Sequence, residues 1–192
     1  MTVSESGECP EKSDAELIAA SAKGDDKAFR QLIQRYRVRI LAICLRMLRN
    51  KTEAEEAAQD SFVKVYFHLK DVDPSRSFAA WAASVAMNEC RDRLRSRARY
   101  SRLHRDLSET DGVTEPATGD PNEENKERLM EVEAALGELP ENLKEVIVLK
   151  AYGGYSYEEI ARILRIRQGT VMSRLFRARE KLAEIIKKGS SR

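Results

Sequence analysis

An all-helical protein, in two small helical domains joined by a flexible acidic linker, is the fold class this 192-residue sequence predicts. Three observations carry the prediction. Nine Gly, five Pro and 6% aromatics leave little for a sandwich or barrel, while Ala, Leu, Glu, Lys and Arg, all good helix formers, abound. Apolar residues recur at steps of three and four through both halves. Between the halves, Ser108 to Asn125 holds Gly112, Pro116, Gly119 and Pro121 among Ser, Thr, Asp and Glu. So little apolar surface cannot offset the entropy of ordering a core.

Asp14 to Ala22 reads as a short leading helix. Phe29, Ile33, Tyr36, Ile40, Ile43 and Met47 then mark one face of a long helix, which Asn50 and Lys51 break. Thr52 followed by Glu55 has the spacing of a capping box, and Ala54, Ala58, Phe62, Val65 and Leu69 form the apolar face of the helix it opens. Asp71, Asp73 and Pro74 make a turn. Ser77 caps the next helix, whose core side is Phe78, Trp81, Ala82, Val85 and Leu94. Beyond the acidic segment, Leu129, Val132 and Leu136 share one helix. Pro140 opens another, which Gly153-Gly154 stops after Tyr152. Ser156 and Glu159 form a second capping box at the head of a short helix through Leu164, and a longer helix runs from Gln168 or Gly169 to about Lys187. The resulting division is an N-terminal extension 1–13, a helical domain 14–105, a linker 106–124 and a second domain 125–192.

Charge excludes less than its distribution suggests. Lys+Arg number 34 and Asp+Glu 32, a formal net charge of +2, but the signs are segregated. Glu89–Arg105 carries seven arginines against two acids; Asp106–Glu133 carries ten acids against two bases; Glu159 to the C-terminus carries ten bases against three acids. The most apolar window, Phe78 to Met87, is ten residues long, half the ~20 that span a bilayer. With no basic-then-apolar leader at the N-terminus, a cytosolic protein is expected. Cys9, Cys44 and Cys90 are odd in number and widely spaced, which suggests reduced thiols rather than a disulfide or zinc site. Neither His68 nor His104 has metal-ligand spacing around it, and no phosphate loop or nucleophile elbow occurs, so neither a cofactor nor catalysis is expected.

The last two helices carry the informative motif. A short helix, a three- or four-residue turn and a longer basic helix make a helix-turn-helix. Ile160, Ile163 and Ile166 are expected to pack on Val171, Leu175, Ala178, Leu182 and Ile185, which at 100° per residue share one direction. Thr170, Arg174, Arg177 and Lys181 then line a flank, with Ser173 beyond, a face of hydroxyls and forked guanidiniums suited to a major groove. The same face would serve a helix that merely faces water. Arg91, Arg93, Arg95, Arg97 and Arg99 spread around their helix, which fits phosphate tracking better than base reading. Asn88 fits a base contact or a plain surface position. Phe78 and Trp81 lie on the apolar stripe, so the polar loop Asp71–Ser77, with Asp73, Ser75 and Arg76, is the better candidate for holding an unstacked base.

The segments Leu139-Pro140 to Val146-Ile147, Tyr155 to Ala161 and Gly169 to Arg179 resemble region 4 of bacterial sigma factors, most closely the extracytoplasmic-function (ECF) branch. Phe29 with Tyr36, Ala54 to Val63, Ser77-Phe78 with Trp81, and Asn88 to Asp92 are similar to region 2 of the same branch. The resemblance covers roughly 14–100 and 125–187, in the family's order. It implies a specificity subunit that binds core RNA polymerase and directs initiation at promoter DNA. Glu55, Glu56, Gln59, Asp60, Phe62 and Val63 would dock on the β′ clamp helices. Asp73, Ser75, Arg76, Asn88, Arg91 and Arg95 would serve the −10 element, and Gln168, Thr170, Ser173, Arg174, Arg177 and Lys181 the −35 element. Region 4 would also pack on the β flap, and an anti-sigma factor, able to hold the protein at the membrane, is an expected partner; no small-molecule substrate and no direct membrane insertion are. Arg167-Gln168 departs from the small polar residue of many relatives. An autonomous helix-turn-helix regulator is the alternative, and it would bind a palindrome as a dimer without polymerase.

Overall fold

The computed structural model describes residues 12–72, 77–103 and 123–189, and every regular element among them is helical. In chain order these are α1 (Asp14–Ala22), α2 (Asp26–Leu48), α3 (Lys51–Phe67), a 3-10 turn at Leu69–Asp71, α4 (Phe78–Leu103), α5 (Glu123–Glu138), α6 (Glu141–Ala151), α7 (Tyr157–Leu164) and α8 (Gln168–Gly189). The fifth helix, α5, begins at Glu123.

Side-chain caps set most of the helix starts. Ser13 and Glu16 form a full capping box on α1, Asp25 accepts from the amides of Lys27 and Ala28 on α2, and the Ser77 hydroxyl accepts from the amide of Ala80 on α4. The cap of α3 differs from expectation. Asn50, not Thr52, fills it, accepting from the Glu53 amide at 3.0 Å. Arg49 leaves α2 in the left-handed conformation (φ +56°), which delivers Asn50 extended (φ −135°, ψ 123°) and places Thr52 already inside the helix.

The first half is a bundle of α1–α4. Leu17, Leu32, Ile40, Ile43 and Met47 fill its centre, and Ala54 and Ala57 of α3 with Ala83 and Ala86 of α4 present small buried side chains that allow close helix approach. Cys44 and Cys90 are buried free thiols in this core; the contact with Cys44, reinforced by burial, pushes the Cys90 thiol far up, so it is unreactive. Cys9 lies outside the described residues.

The second half has two apolar seats rather than one. Val171 and Leu175 of α8 belong with Ile160 and Ile163 of α7, whereas Ala178, Leu182 and Ile185 pack on Leu136 of α5, Leu143 of α6 and Leu139 between them. The expected single seat on α7 fails for a geometric reason: eight residues rise about 12 Å and the 22 of α8 about 33 Å, so α7 can cover only the first turns.

The halves also pack together. Val146, Val148, Leu149, Tyr155 and Ile160 lie in the same continuous apolar cluster as Ile43, Ala83 and Met87. Tyr155 is 2% exposed and donates its hydroxyl to the Ala79 carbonyl at 2.9 Å, with the Arg39 guanidinium 5.7 Å from its ring centre. Gly153 permits this insertion, since a Cβ there would fall 2.7 Å from the Leu149 carbonyl oxygen and against the Tyr155 ring.

Candidate nucleic-acid interface

The helix-turn-helix is built by local rules. Ser156 and Glu159 close the capping box on α7. Arg165 ends it with φ +55°, and the Ile166 amide donates back to Ala161 at 3.0 Å, reversing the chain in a turn that reaches Gln168. Val171, Leu175 and Ala178 are buried on the inner side of α8. Gln168, Ser173, Arg177 and Lys181 are exposed and Thr170 and Arg174 half-buried, with Thr170, Arg174, Arg177 and Lys181 along one flank of the buried stripe and Ser173 beyond it. The Ser173 hydroxyl donates to the Thr170 carbonyl at 3.1 Å and Arg177 Nε to the Ser173 carbonyl at 3.3 Å, contacts within one helix that leave the charged head outward. Among the described residues Arg165, Arg167, Arg174, Arg177 and Arg179 form no salt bridge, and Lys181 forms none while lying within electrostatic reach of Glu184. The face is bare cation over a dry stripe.

On α4 the basic residues have company. Arg91 grips Glu145 of α6 with both arms, Nε to Oε1 at 2.5 Å and Nη2 to Oε2 at 2.8 Å, and a further arm reaches Asn88 Oδ1 at 3.3 Å. The Glu145 contact raises the guanidinium pKa further, against the opposing pull of burial. Arg93 donates to Glu56 at 3.0 Å, Asp60 at 2.5 Å and Glu89 at 3.1 Å; burial pulls its pKa down, but those three carboxylates more than reverse it. Glu89, 8% exposed, would be pushed up by burial, yet Lys64 at 2.5 Å and Arg93 hold it below the usual carboxylate range. Arg97 reaches Glu53 at 3.3 Å, and Arg95 sits 3.6 Å from Asp92. Asn88 and Arg95 are exposed. Asp73, Ser75 and Arg76 lie outside the described residues; the residue that follows them, Ser77, donates to Glu159 of α7 at 3.4 Å. Phe78 is buried against Tyr36 and Trp81, with ring centres 5.3 Å and 5.8 Å away, and so serves packing.

The expected docking face on α3 comes together on one side. Glu55, Glu56, Gln59, Asp60 and Val63 are exposed, while Phe62 turns partly into the core. Sequence reading missed two neighbours: Phe67, 74% exposed, and Tyr66, whose ring stacks edge-on with Phe29 at 4.8 Å. The i, i+4 spacing of Val63 and Phe67 on a charged helix was the available signal. Met172 and Phe176 of α8, equally exposed, share that spacing. Glu145 was likewise overlooked, one of many like charges in its segment, and Arg93, expected to track phosphate, is held by Glu56, Asp60 and Glu89 instead. Among the described residues no cluster of His, Cys, Asp and Glu could hold a metal ion, and no helix is long and apolar enough to cross a membrane.

Comparison with known proteins covers both halves. The description "Sigma-70 region 2" matches residues 32–100 and "Sigma-70, region 4" residues 129–182. The RNA polymerase sigma-H factor of Pseudomonas aeruginosa is 32% identical over 183 residues, 88% of this chain and 92% of that protein. The ECF RNA polymerase sigma factor SigW of Bacillus subtilis is 34% identical over 167 residues, 83% and 89% of the two chains. Among solved structures, CnrH in complex with the cytosolic domain of CnrY gives a TM-score of 0.70 at 29% identity, covering 92% of this chain and 99% of that one. The sigma factor RpoE of Bartonella quintana, solved with the anti-sigma factor NepR, gives 0.73 at 25% identity over 84% and 98%.

Proposed function

The chain belongs to the ECF family of RNA polymerase sigma factors, and from that premise we propose how its surfaces divide the work of promoter recognition. It is an alternative sigma factor that binds core RNA polymerase and directs transcription initiation. The observation that carries the finer reading is the bare cationic face of α8 over its buried stripe. Gln168, Thr170, Ser173, Arg174, Arg177 and Lys181 read the −35 element as duplex, with phosphate contacts positioning the helix and forked guanidiniums specifying bases.

The other surfaces follow. The α3 face of Glu55, Glu56, Gln59, Asp60, Phe62 and Val63, extended by Phe67, docks on the β′ clamp helices, and the second domain packs on the β flap. Asn88, Arg91 and Arg95, with the loop carrying Asp73, Ser75 and Arg76, receive the −10 strand once it is unpaired, a step that costs a few kcal/mol per base. The functional units are residues 14–105 and 125–192, with 106–124 between them. The protein acts in the cytoplasm, without catalysis of its own, under an anti-sigma factor of the kind with which RpoE of Bartonella quintana was solved. Likeness to sigma factors along most of the chain supports this over a free-standing dimeric regulator.

The test is transcription from a randomised promoter library by core polymerase with and without the purified protein. New start sites that depend on the protein are expected. Tight, sequence-selective binding as a dimer without polymerase, and no new start sites with it, would defeat the reading.

A further inference from the structure

The acids of the α3 docking face are of two kinds, and this inference rests on the docking reading of that face. Glu55 forms no salt bridge among the described residues. Glu56 and Asp60, one turn apart, both receive Arg93 of α4: Nη1 donates to Glu56 Oε2 at 3.0 Å and Nη2 to Asp60 Oδ2 at 2.5 Å. The remaining nitrogen, Nε, donates to Glu89 Oε1 at 3.1 Å, one turn back along α4. All three guanidinium nitrogens are engaged, so its plane cannot turn without breaking a bond. Rungs on either side, Arg97 to Glu53 at 3.3 Å and Lys64 to Glu89 at 2.5 Å, keep α3 and α4 in one register.

Exposure separates the donor from its acceptors. The Arg93 side chain is 23% exposed, those of Glu56 and Asp60 57% and 53%. Each of these two acids uses one oxygen on Arg93, Oε2 and Oδ2, and among the described residues nothing bonds the other oxygen. Long surface side chains lose rotamer freedom when a partner captures them, which weakens association. Two acids a turn apart on one helix also repel. A guanidinium in a fixed fork lowers both penalties before docking, because it holds the two carboxylates in one geometry and screens each from the other. Lysine, a point charge on a flexible stem, cannot hold three acceptors in a plane.

We propose that Arg93 is a positioning residue for polymerase docking. From α4 it pre-sets Glu56 and Asp60 so that their outer oxygens meet basic groups of the β′ clamp helices, and it touches neither DNA nor polymerase itself.

The experiment measures the affinity of the labelled full chain for core RNA polymerase with no DNA present, so that a lost phosphate contact cannot register. Arg93→Gln is expected to weaken docking about tenfold, the scale of leaving two side chains to be ordered on binding. Glu56→Gln together with Asp60→Asn is expected to weaken it by at least as much. Adding Arg93→Gln to that pair should cause less than about a further twofold loss, since an arginine that acts through two carboxylates has nothing to position once they are neutral. Arg93→Lys should fall between the native chain and Arg93→Gln. A merely structural arginine would weaken docking equally in both backgrounds, and that result overturns the proposal. So does native affinity in Arg93→Gln, or tighter docking, which would mean that Arg93 competes with polymerase for the acids. If Arg93→Gln loses helicity by circular dichroism, Arg93→Lys compared in the two backgrounds carries the same test. The two readings fail separately: if neutralising Glu56 and Asp60 leaves docking intact, the docking face itself falls, whereas weakened docking there with none in Arg93→Gln removes the positioning role alone.

Discussion

The two basic helices, α4 and α8, look alike in sequence and differ in what their cations touch. Arg91, Arg93 and Arg97 of α4 are held by Glu145, by Glu56, Asp60 and Glu89, and by Glu53, whereas Arg174 and Arg177 of α8 form no salt bridge among the described residues. A count of arginines would rank the two as equal nucleic-acid surfaces. The contacts rank them otherwise: along α4 the arginines from Arg91 to Arg97 meet the chain's own carboxylates, and among the described residues only Arg99 and Arg102 near its end form no salt bridge. Charge in a sequence is an upper limit on charge available to a partner.

The strongest way to break this contrast is to remove the seat beneath α8. Leu175 is 2% exposed between α7 and α8, so Leu175→Ala should cost 2–5 kcal/mol by urea unfolding and abolish duplex binding by the holoenzyme. If duplex binding persisted, the bare face would not depend on the fold that presents it.

The junction between the halves can be sharpened by pH. Burial pushes the Tyr155 phenol up to about 12, from an ordinary value of 10. A raised folded value means that the unfolded chain releases this proton first, so the stability it confers is complete below pH 10 and is lost as pH rises from 10 to 12. About 2–3 kcal/mol should disappear over that window in denaturant titrations of the native chain. Tyr155→Phe should lose less by that amount, keeping only the share of Tyr36 and Tyr152, whose phenols burial also pushes up; parallel curves for the two would mean the hydroxyl is wet and the halves apart.

Single arginines test the contrast most directly. Arg177→Ala should cost about 1–3 kcal/mol at the −35 element and relax preference at one position, measured with variant promoters; an equal loss on every sequence would reassign it to phosphate. Arg93→Ala in the same assay should leave −35 discrimination unchanged, because its partners are the chain's own acids. The smallest expected effect concerns the start of α3. Asn50→Ala should cost about 1 kcal/mol by thermal melting, as loss of an N-cap does, and Thr52→Ala less than ~0.5 kcal/mol.

That last pair shows what the sequence could and could not convey. Ser156-Glu159 is unambiguous because one candidate cap stands before its apolar run, and α1, α7 and α8 follow at their expected residues. Asn50-Glu53 and Thr52-Glu55 compete with identical spacing, and the left-handed turn at Arg49 that decides between them leaves no local mark. The outward set on α8 was legible because a single helix's periodicity fixes it. Its division between two seats was not, since that depends on the lengths of α5, α6 and α7. The Arg91–Glu145 pair was illegible for a deeper reason: its partners are 54 positions apart, and each stands among several like residues, so only tertiary placement selects it.

The elbow between α7 and α8 sets a limit on engineering this protein. Arg165 takes there a backbone twist that side chains other than glycine adopt at a penalty of about 1–2 kcal/mol, and it does so with its cation exposed on the rim of the cleft shared with Arg162, Arg167 and Thr170. Glycine would relax the backbone and delete a positive group beside the side proposed to meet the double helix. At that corner, thermal robustness and grip trade against each other through one side chain, and a more heat-tolerant form chosen for melting temperature alone would be drawn toward weaker attachment.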